Sequence, residues 1–262
     1  ATANDYLARR DATTMRPIFE LLGLSVDYLQ SDHSPVRYER ELRLFRRHCP
    51  RGRVLDVGCG TGGFLHQLGQ RFPGDYVTLG NDIAGPAVDH AQALGVPVHR
   101  GTLAELAPDP PFDAVTFWAV LEHLPEPVDF LREAARLLRP GGLCVALVPN
   151  FESLAVRCLG ARYRYILPQH VNYFTGATLK RLFQQVPDFT VNGIQTTHFN
   201  PVVIGQDFRG RGRLVPDADR ARLLKRTNAL KENARLKPLQ WGYRLVERCL
   251  GLFRLGDNVV VI

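Results

Sequence analysis

The chain has 262 residues, of which 45% are hydrophobic and 23% are charged, proportions typical of a folded globular domain. That length suits one large domain, or one domain with an appendage. No apolar run approaches the roughly 18 residues that a membrane-spanning helix needs, and no apolar signal core stands near the start. The 5 cysteines are scattered, without a Cys-x-x-Cys pair, which disfavours a zinc site or a disulfide framework. We therefore expect a reduced, cytoplasmic protein.

The net charge of +7 is concentrated in one part of the chain. Residues 205–254 contain 13 Lys and Arg against 5 Asp and Glu, so the rest of the chain is nearly neutral. Enzymes that act on nucleic acids usually carry a basic face at the active site. The neutral body disfavours nucleic acid as the substrate.

Strands and helices alternate through the first part of the chain. An amphipathic helical region, 1–50, comes first, and we predict that it forms a lid. The strands "RVLDV", "YVTLGND", "VPVHR", "FDAVTFWAV" and "LCVALVPN" then follow, with helical segments between them. Strands that alternate with helices predict a parallel sheet with both faces covered.

The alternation stops after residue 150. An irregular aromatic loop, 151–175, precedes a helix and a sixth strand within "FTVNGIQTTHF". The basic segment 205–254 is predicted to be a helical insertion, and 255–262 a last strand of the same sheet. The sequence thus predicts an α/β fold, a Rossmann-like, doubly wound sheet of seven mostly parallel strands, with its core in 51–204.

The tetrapeptide DPPF, residues 109–112, resembles the motif with which amine-methylating enzymes of nucleic acids hold the target nitrogen. Ligands bind at the carboxyl ends of parallel strands, so that motif must follow the fourth strand. Here Phe112 begins the fourth strand. We therefore interpret DPPF as a turn at the opposite edge of the sheet.

A glycine-rich turn follows the first strand. Gly58, Gly60 and Gly63 form a GxGxxG pattern, and Asp82 lies 19 residues further on. Alone, this pattern would fit the dinucleotide site of a dehydrogenase. Asp56, two residues before the first glycine, would repel a pyrophosphate but attract an ammonium group. The pattern with this neighbour disfavours the dehydrogenase interpretation.

These segments resemble a known family. "VLDVGCGTGG", "GNDI" and the stretch from "FDAV" to "LVPN" resemble the motifs of class I S-adenosylmethionine (SAM)-dependent methyltransferases. "HVNYFTGATL" is similar to a pattern in the group related to ubiquinone-pathway O-methyltransferases, many of them from bacterial glycan and natural-product biosynthesis. The resemblance covers about residues 36–200. It implies SAM as cofactor, S-adenosylhomocysteine as product and a small-molecule acceptor.

The resemblance also implies roles for individual residues. Gly58 and Gly60 would let the backbone approach the methionine part of SAM. Asp56 would face the ammonium group, or cap a turn. Asp82 would accept hydrogen bonds from both ribose hydroxyls, or cap the next helix, or do both. The other predicted cofactor contacts are Cys59, Ile83 on the adenine, Thr102, Leu103, Trp118 and Ala119, with Trp118 either an active-site wall or a core aromatic.

A hydroxyl acceptor needs a base that works near pH 7, and histidine is the usual choice. His123 follows the fourth strand and His170 follows the fifth, so either is a candidate base, and each has a structural role as its alternative. The predicted walls of the acceptor pocket are Tyr163, Tyr165, Tyr173 and Phe174. The histidines lack HxH or HxxxH spacing and few carboxylates stand near them in sequence, so no metal is expected.

We expect O-methylation of a sugar or phenolic metabolite. The alternatives are N- or C-methylation of a sugar nucleotide or lipid-linked glycan, and a non-catalytic SAM-binding partner subunit. For the basic segment 205–254, one interpretation is a helical hairpin packed on its own domain or on a second subunit. Another is peripheral attachment to the inner face of a membrane, and nucleic acid is the least favoured partner.

Overall fold

The computed structural model describes most of the core and little of the two flanking segments. The described residues are 38–107, 111–163, 166, 170–199, 201, 204–205, 208, 246 and 249–262. Most of the predicted lid, most of the basic segment and Tyr165 lie outside them. The predictions for those parts therefore stay predictions.

Seven strands form one sheet. They are β1 (Gly52–Val57), β2 (Tyr76–Asp82), β3 (Val98–Arg100), β4 (Phe112–Trp118), β5 (Leu138–Pro149), β6 (Ile194–Thr197) and β7 (Asn258–Val261). Their order across the sheet is β3-β2-β1-β4-β5-β7-β6. The first five strands pair in parallel, and β7 runs antiparallel to both β5 and β6. The prediction of a mostly parallel, seven-stranded sheet is confirmed.

Helices cover both faces of this sheet. Within the described residues they are α1 (Glu39–His48), α2 (Gly63–Arg71), α3 (Gly85–Ala93), α4 (Pro127–Leu137), α5 (Leu154–Leu159) and α6 (Gly176–Phe183). Neighbouring residues of β4 serve opposite faces: Val115 packs in the core beneath α4 and α6, and Ala114 in the core beneath α1 and α2. A strand buried on both faces is what an apolar run without polar alternation predicts.

The end of the predicted lid is part of the core. Leu42 and Phe45 of α1 are 1% and 0% exposed, and the Phe45 ring meets Phe64 of α2 edge-on, with ring centroids 5.6 Å apart. Burial of these two side chains explains the amphipathic pattern of this helix. This helix therefore contributes to the core, and the lid stays a prediction. Residues 1–37 lie outside the described part of the chain.

The edge of the sheet that carries DPPF is the one predicted. Phe112 is the first residue of β4, and Asp113 beside it accepts a 2.7 Å hydrogen bond from the backbone N–H of Arg53, near the start of β1. Arg139, near the start of β5, donates to the same carboxylate at 2.6 Å. The motif therefore stands at the amino ends of the strands, away from the ligand-binding edge, and Asp109 and Pro110 are outside the described residues.

Two local features depart from the sequence-based expectation. The loop 151–175 contains the short helix α5, because the Ser153 hydroxyl accepts a 3.2 Å hydrogen bond from the Val156 N–H and caps its first turn. Strand β5 begins at Leu138, directly after α4, and so includes residues 138–142, which precede the predicted strand "LCVALVPN". A shift in the β4–β5 register accommodates this early start.

The basic segment interrupts the connection between two paired strands. β6 ends at Thr197 and its antiparallel partner β7 begins at Asn258, so the chain between these two paired strands includes the basic segment. Within this segment, the apolar residues Val246 and Phe253 are 46% and 75% exposed. Within the described part of the chain, no helix is long and apolar enough to cross a membrane.

Candidate active site

The turn between β1 and α2 needs its glycines for two different reasons. Gly58 and Gly60 have φ angles of 63° and 53°, which residues other than glycine rarely adopt. A Cβ at Gly58 would lie 2.7 Å from a methyl carbon of Val120, whereas a Cβ at Gly60 would meet nothing within 4 Å. At Gly58 the close neighbour is thus the loop after β4. Only Gly60 faces open space, as a ligand-facing glycine must.

Asp82 joins this turn to the end of β2. Its Oδ2 accepts a 2.8 Å hydrogen bond from the Gly60 N–H, and its Oδ1 accepts one of 2.8 Å from the Ala84 N–H. Ala84 directly precedes α3, so Asp82 does organise the entry to that helix. Each carboxylate oxygen can accept a second hydrogen bond. The structure therefore leaves Asp82 able to bind a pair of hydroxyls while it holds both loops.

Asp56 is a buried acid at the end of β1. It is 2% exposed, and Thr116 Oγ1 on the neighbouring β4 donates to its Oδ1 at 2.7 Å. Burial raises the pKa of Asp56 to about 8, against the opposing effect of the Thr116 hydrogen bond, and the charge of Asp82 raises it further. A nearby cation would stabilise the ionised form. The site is suited to an ammonium group.

The remaining predicted cofactor contacts divide into exposed and internal residues. Ile83 follows Asp82 and is 48% exposed, as a surface for a flat ring would be. Leu103 is 3% exposed and packs in the core. The Cys59 sulfur lies against Gly80, where an added Cβ would be 2.5 Å away. Cys59 and Leu103 therefore pack against the protein interior behind the site.

Glu105 is a carboxylate near the end of β3 that sequence reasoning missed. Thr102 Oγ1 donates to its Oε1 at 3.0 Å, and its Oε2 lies 3.5 Å from His99 Nε2. The Thr-x-x-Glu spacing is the available signal, because it is typical of a turn in which the two side chains meet. The region after β3 therefore contains an acid, and Thr102 contacts it.

Trp118 and Ala119 end β4 beside the glycine-rich turn. Ala119 has a φ of 57°, and its N–H donates to the Leu147 carbonyl at 2.8 Å. A non-glycine residue in this region costs about 1 kcal/mol and is found preferentially at functional sites. The Trp118 ring packs against Phe64 at 4.9 Å, and its Nε1 is buried without a hydrogen-bond partner among the described residues. Trp118 is thus both a core contact and a candidate wall.

The two predicted histidines meet at the carboxyl ends of β4 and β5. His123 lies in a 3₁₀ turn, Leu121–His123, and is exposed, while His170 is 8% exposed. Their rings meet edge to face, with centroids 4.7 Å apart and an interplanar angle of 77°. Glu122 completes the group, since one ligand-type atom from each of the three residues lies within 4.8 Å of the others.

Asn172 holds the two histidine-bearing loops together. Its backbone N–H donates to the Glu122 carbonyl at 3.0 Å, and its Nδ2 donates to the Leu124 carbonyl at 2.6 Å. Neither Asn172 nor Glu122 was predicted, and the only sequence signal is their closeness to a histidine. Glu122 is 2% exposed, and its burial raises its pKa to about 8.

A small cleft opens beside His170. Its lining includes Asn150, Phe151, Tyr163 and Tyr173. Tyr163 is 3% exposed, and Tyr173 is 39% exposed with its ring 5.1 Å from that of Phe151. The predicted wall residue Phe174 is not among the lining residues: it is 6% exposed and packs in the core above α6. Side chains alternate along an extended segment, so Tyr173 and Phe174 point apart.

A comparison with known families agrees with this geometry. The sequence model of the methyltransferase domain family matches residues 33–190. The chain belongs to the methyltransferase domain family. A second model, for the SecA DEAD-like domain, matches residues 1–43, nearly all of which lie outside the described part of the chain. The family implies SAM, and the open side of Gly60, the spare acceptor capacity of Asp82 and the buried Asp56 fit that cofactor.

Curated relatives of this methyltransferase domain match it over part of the chain. The chain is 32% identical over 155 residues to a ubiquinone biosynthesis O-methyltransferase of Bradyrhizobium diazoefficiens. This alignment covers 57% of this chain and 60% of the relative. The chain is 31% identical over 164 residues to the protein of that name from Aeromonas salmonicida, covering 57% and 68%. The match thus spans less than two thirds of the first relative's own length and 68% of the second's.

Solved structures share the fold at low identity. A SAM-dependent methyltransferase of Thermotoga maritima, described as a possible histamine N-methyltransferase, has a TM-score of 0.50 and 23% identity over 62% of this chain and 75% of its own. The cyclase SpnF has a TM-score of 0.53 and 17% identity over 85% and 79%. Such similarity shows the fold alone, and a cyclase among these structures illustrates that fold does not decide the reaction.

Proposed function

We propose that this methyltransferase domain transfers the methyl group of SAM to a hydroxyl of a small molecule, a sugar or a phenolic metabolite. The observation that carries the proposal is the meeting of His123 and His170 on the edge of the sheet that also presents Asp56 and Asp82. A base for a hydroxyl and a site for a methyl donor thus share one edge. The O-methyltransferase names of the curated relatives support the same reaction.

The cofactor would lie along the loops after β1, β2 and β3. Asp82 would bind the ribose hydroxyls, Asp56 the ammonium group and Ile83 the adenine, with Gly60 allowing close approach of the backbone. SAM supplies, when bound, a methyl group on a positively charged sulfur. The chain's own contribution at this edge is to bind the cofactor and hold it in one orientation, which is a large part of the rate enhancement in a two-substrate reaction.

The acceptor would bind in the cleft lined by Tyr163 and Tyr173. His170, which also lines that cleft, or His123 beside it would accept the proton of the acceptor hydroxyl at a ring nitrogen. A histidine base beside the cleft favours a hydroxyl acceptor over an amine. A hydroxyl must lose its proton to react, whereas a neutral amine is a nucleophile without deprotonation. N- or C-methylation and a non-catalytic role stay as alternatives that an acceptor assay tests.

Calorimetry with SAM and S-adenosylhomocysteine, on the wild type, Asp82→Ala and Asp89→Ala, tests the cofactor site. Asp89 is an exposed acid of α3 away from the turn, so its loss controls for charge. We expect Asp82→Ala to weaken binding by about 10- to 100-fold, since hydrogen bonds to a charged group contribute about 1.5–3 kcal/mol each. Asp89→Ala should bind as the wild type does. Equal binding by both variants would remove Asp82 from the site.

Methyl transfer from labelled SAM to a panel of phenols, sugars and amines then tests the reaction. We expect phenols or sugars to be methylated and amines to be poor acceptors. Methylation of amines alone would replace the O-methyl proposal with N-methylation. Strong SAM binding without methylation of any acceptor would favour the non-catalytic partner subunit.

We propose the basic segment 205–254 as a contact surface for a second copy of the chain or for an anionic membrane. Its charge supports this, as do Leu252 and Phe253 at its end, which are 83% and 75% exposed. Sedimentation with anionic vesicles at low and high salt, together with the oligomeric state, separates the two partners.

A further inference from the structure

Glu122, His123 and His170 combine three metal-binding side chains in a space small enough for one ion. One ligand-type atom from each lies within 4.8 Å of the other two. Two imidazoles and one carboxylate are a set of ligands that zinc enzymes use when they leave a coordination position open. We propose that these three residues bind one divalent cation of the zinc class at the acceptor end of the active site.

The buried carboxyl group of Glu122 independently points to a bound cation. Glu122 is 2% exposed, and its Oε2 is buried without a hydrogen-bond partner among the described residues. A buried polar atom without a partner costs free energy, so such groups in folded proteins are usually satisfied by hydrogen bonds or metal ions. Neither neighbouring histidine supplies a hydrogen bond to this oxygen. A cation would be the missing partner.

The loops hold the three side chains in place before any ion binds. Asn172 fixes the loop of His170 to the turn of Glu122 and His123 through its bonds to the Glu122 and Leu124 carbonyls, at 3.0 and 2.6 Å. The sequence-based expectation of no metal rested on spacing along the chain. That argument does not apply to a set drawn from two loops.

The surroundings leave room for a fourth ligand. His123 is exposed on one side of the group, and on the other side His170 lines the cleft that also contains Tyr163 and Tyr173. Three protein ligands with an open position are typical of catalytic rather than structural zinc sites. A position left open by these three residues would lie next to the cleft proposed for the acceptor, because His170 lines that cleft.

The role of the cation in catalysis, unlike its binding, rests on the proposed function. The acceptor oxygen would coordinate the cation and release its proton to solvent, because a divalent cation strongly lowers the pKa of a bound hydroxyl. The oxygen then forms the new O–C bond while the C–S bond breaks. The bonding electrons move to the sulfur, which becomes a neutral thioether. In this state His123 and His170 act as ligands and do not accept the proton themselves.

The test is metal binding by the tag-free full chain after treatment with a chelator. Zn²⁺ is titrated by calorimetry, and Co²⁺ by its visible absorption spectrum. We expect one equivalent of either ion to bind the wild type, and binding to weaken by more than about tenfold in Glu122→Gln and in His170→Ala, since even outer partners of ligands change affinity by 10- to 100-fold. His48→Ala is the matched control, because His48 is exposed at the end of α1, and it should bind as the wild type does.

His123→Ala guards against a folding defect, because its side chain is exposed and its removal leaves the core intact. It should also weaken binding by more than about tenfold. No saturable binding of Zn²⁺ or Co²⁺ by the wild type would overturn the site, as would unchanged affinity in His123→Ala. SAM binding is measured on the same chelator-treated protein. SAM binding without metal binding rejects only the cation site, whereas metal binding without SAM binding rejects only the proposed function.

Discussion

The cofactor edge, formed by the loops after β1 and β2, and the acceptor edge, formed by the loops after β4 and β5, are built differently. At the cofactor edge, the Asp82 carboxylate bonds directly to the backbone of Gly60 and Ala84. At the acceptor edge, Asn172 joins the two loops on which His123 and His170 meet. At the first edge, the carboxylate joins residues 22 and 2 positions away in sequence, close to strand ends. The second uses a contact between distant loops and leaves Glu122 without a full set of partners.

This difference teaches where each edge is vulnerable. A change at the cofactor edge should affect SAM binding and the stability of the core together, because the same residues hold the strands. A change at the acceptor edge should affect turnover with little effect on SAM. The following variants are chosen to break this separation.

The largest expected effect is on the pH dependence of stability through Asp56. The pKa of Asp56 is about 8 in the folded protein and near 3.8, the ordinary value for aspartate, when the chain is unfolded, so the folded state binds one extra proton between these pH values. Stability therefore falls as the pH rises through this window. From pH 6 to pH 8, the wild type should lose about 2 kcal/mol of unfolding free energy relative to Asp56→Asn, which has no proton to lose.

Urea unfolding of both proteins at several pH values, without SAM, measures that difference. Thr116→Val is the companion variant, because it removes the hydrogen bond to the carboxylate and leaves the acid in place. It should raise the pKa of Asp56 further, so the loss of stability should continue to a higher pH than in the wild type. If the unfolding free energies of the wild type and Asp56→Asn changed with pH in parallel, the pKa of Asp56 would not be raised in the folded protein. The carboxyl group would then not be a neutral acid that a cation ionises.

At the acceptor edge, Asn172→Ala removes the side-chain bond to Leu124 and retains the backbone bond to Glu122. The loop of His170 should loosen, and kcat/KM with an identified acceptor should fall by about tenfold, because one hydrogen bond contributes about 1 kcal/mol and misplacement adds to it. SAM affinity should not change. Steady-state kinetics and calorimetry measure the two quantities.

Asn192→Ala is the control for this change, since Asn192 is exposed before β6 and remote from both loops. It should leave kcat/KM and SAM affinity as they are. An Asn172→Ala protein that loses SAM affinity and turnover in parallel would contradict the separation of the two edges.

The smallest expected effect is that of alanine at two glycines, and it separates a loss of SAM binding from a loss of stability. Gly60 and Gly74 have φ angles of 53° and 81°, and an added Cβ would meet nothing within 4 Å at either position. Alanine at each should therefore cost about 1 kcal/mol of stability through backbone strain alone. Only Gly60→Ala should also weaken SAM binding, because Gly74 lies in the turn before β2, at the other edge of the sheet.

Thermal unfolding and SAM calorimetry on the pair provide the comparison. Equal losses of stability with a selective loss of SAM affinity in Gly60→Ala are expected. If SAM affinity were unchanged in both variants, the open side of Gly60 would not be the path of the cofactor.

How far the sequence could be interpreted depends on the range of the contacts involved. The glycine turn, Asp56 and Asp82 were predictable because strand ends and the turns that follow them are encoded within a few residues. The close approach of Val120, which leaves no room for a Cβ at position 58, was not predictable. Val120 follows another strand, far from Gly58 in sequence. Phe174 and Tyr173 carry the same kind of signal in sequence, and only packing assigns Phe174 to the core and Tyr173 to the cleft.

The sequence by itself determined the order of strands and helices, the parallel sheet with two covered faces and the edge at which a ligand must bind. These follow from hydrophobic periodicity and from the rule that strand ends share an edge. Only the tertiary structure decided that α1 is a core helix, that His123 and His170 touch, and that Glu122 stands buried beside them. Such contacts depend on how loops far apart in the chain pack together, and no local pattern of residues records that.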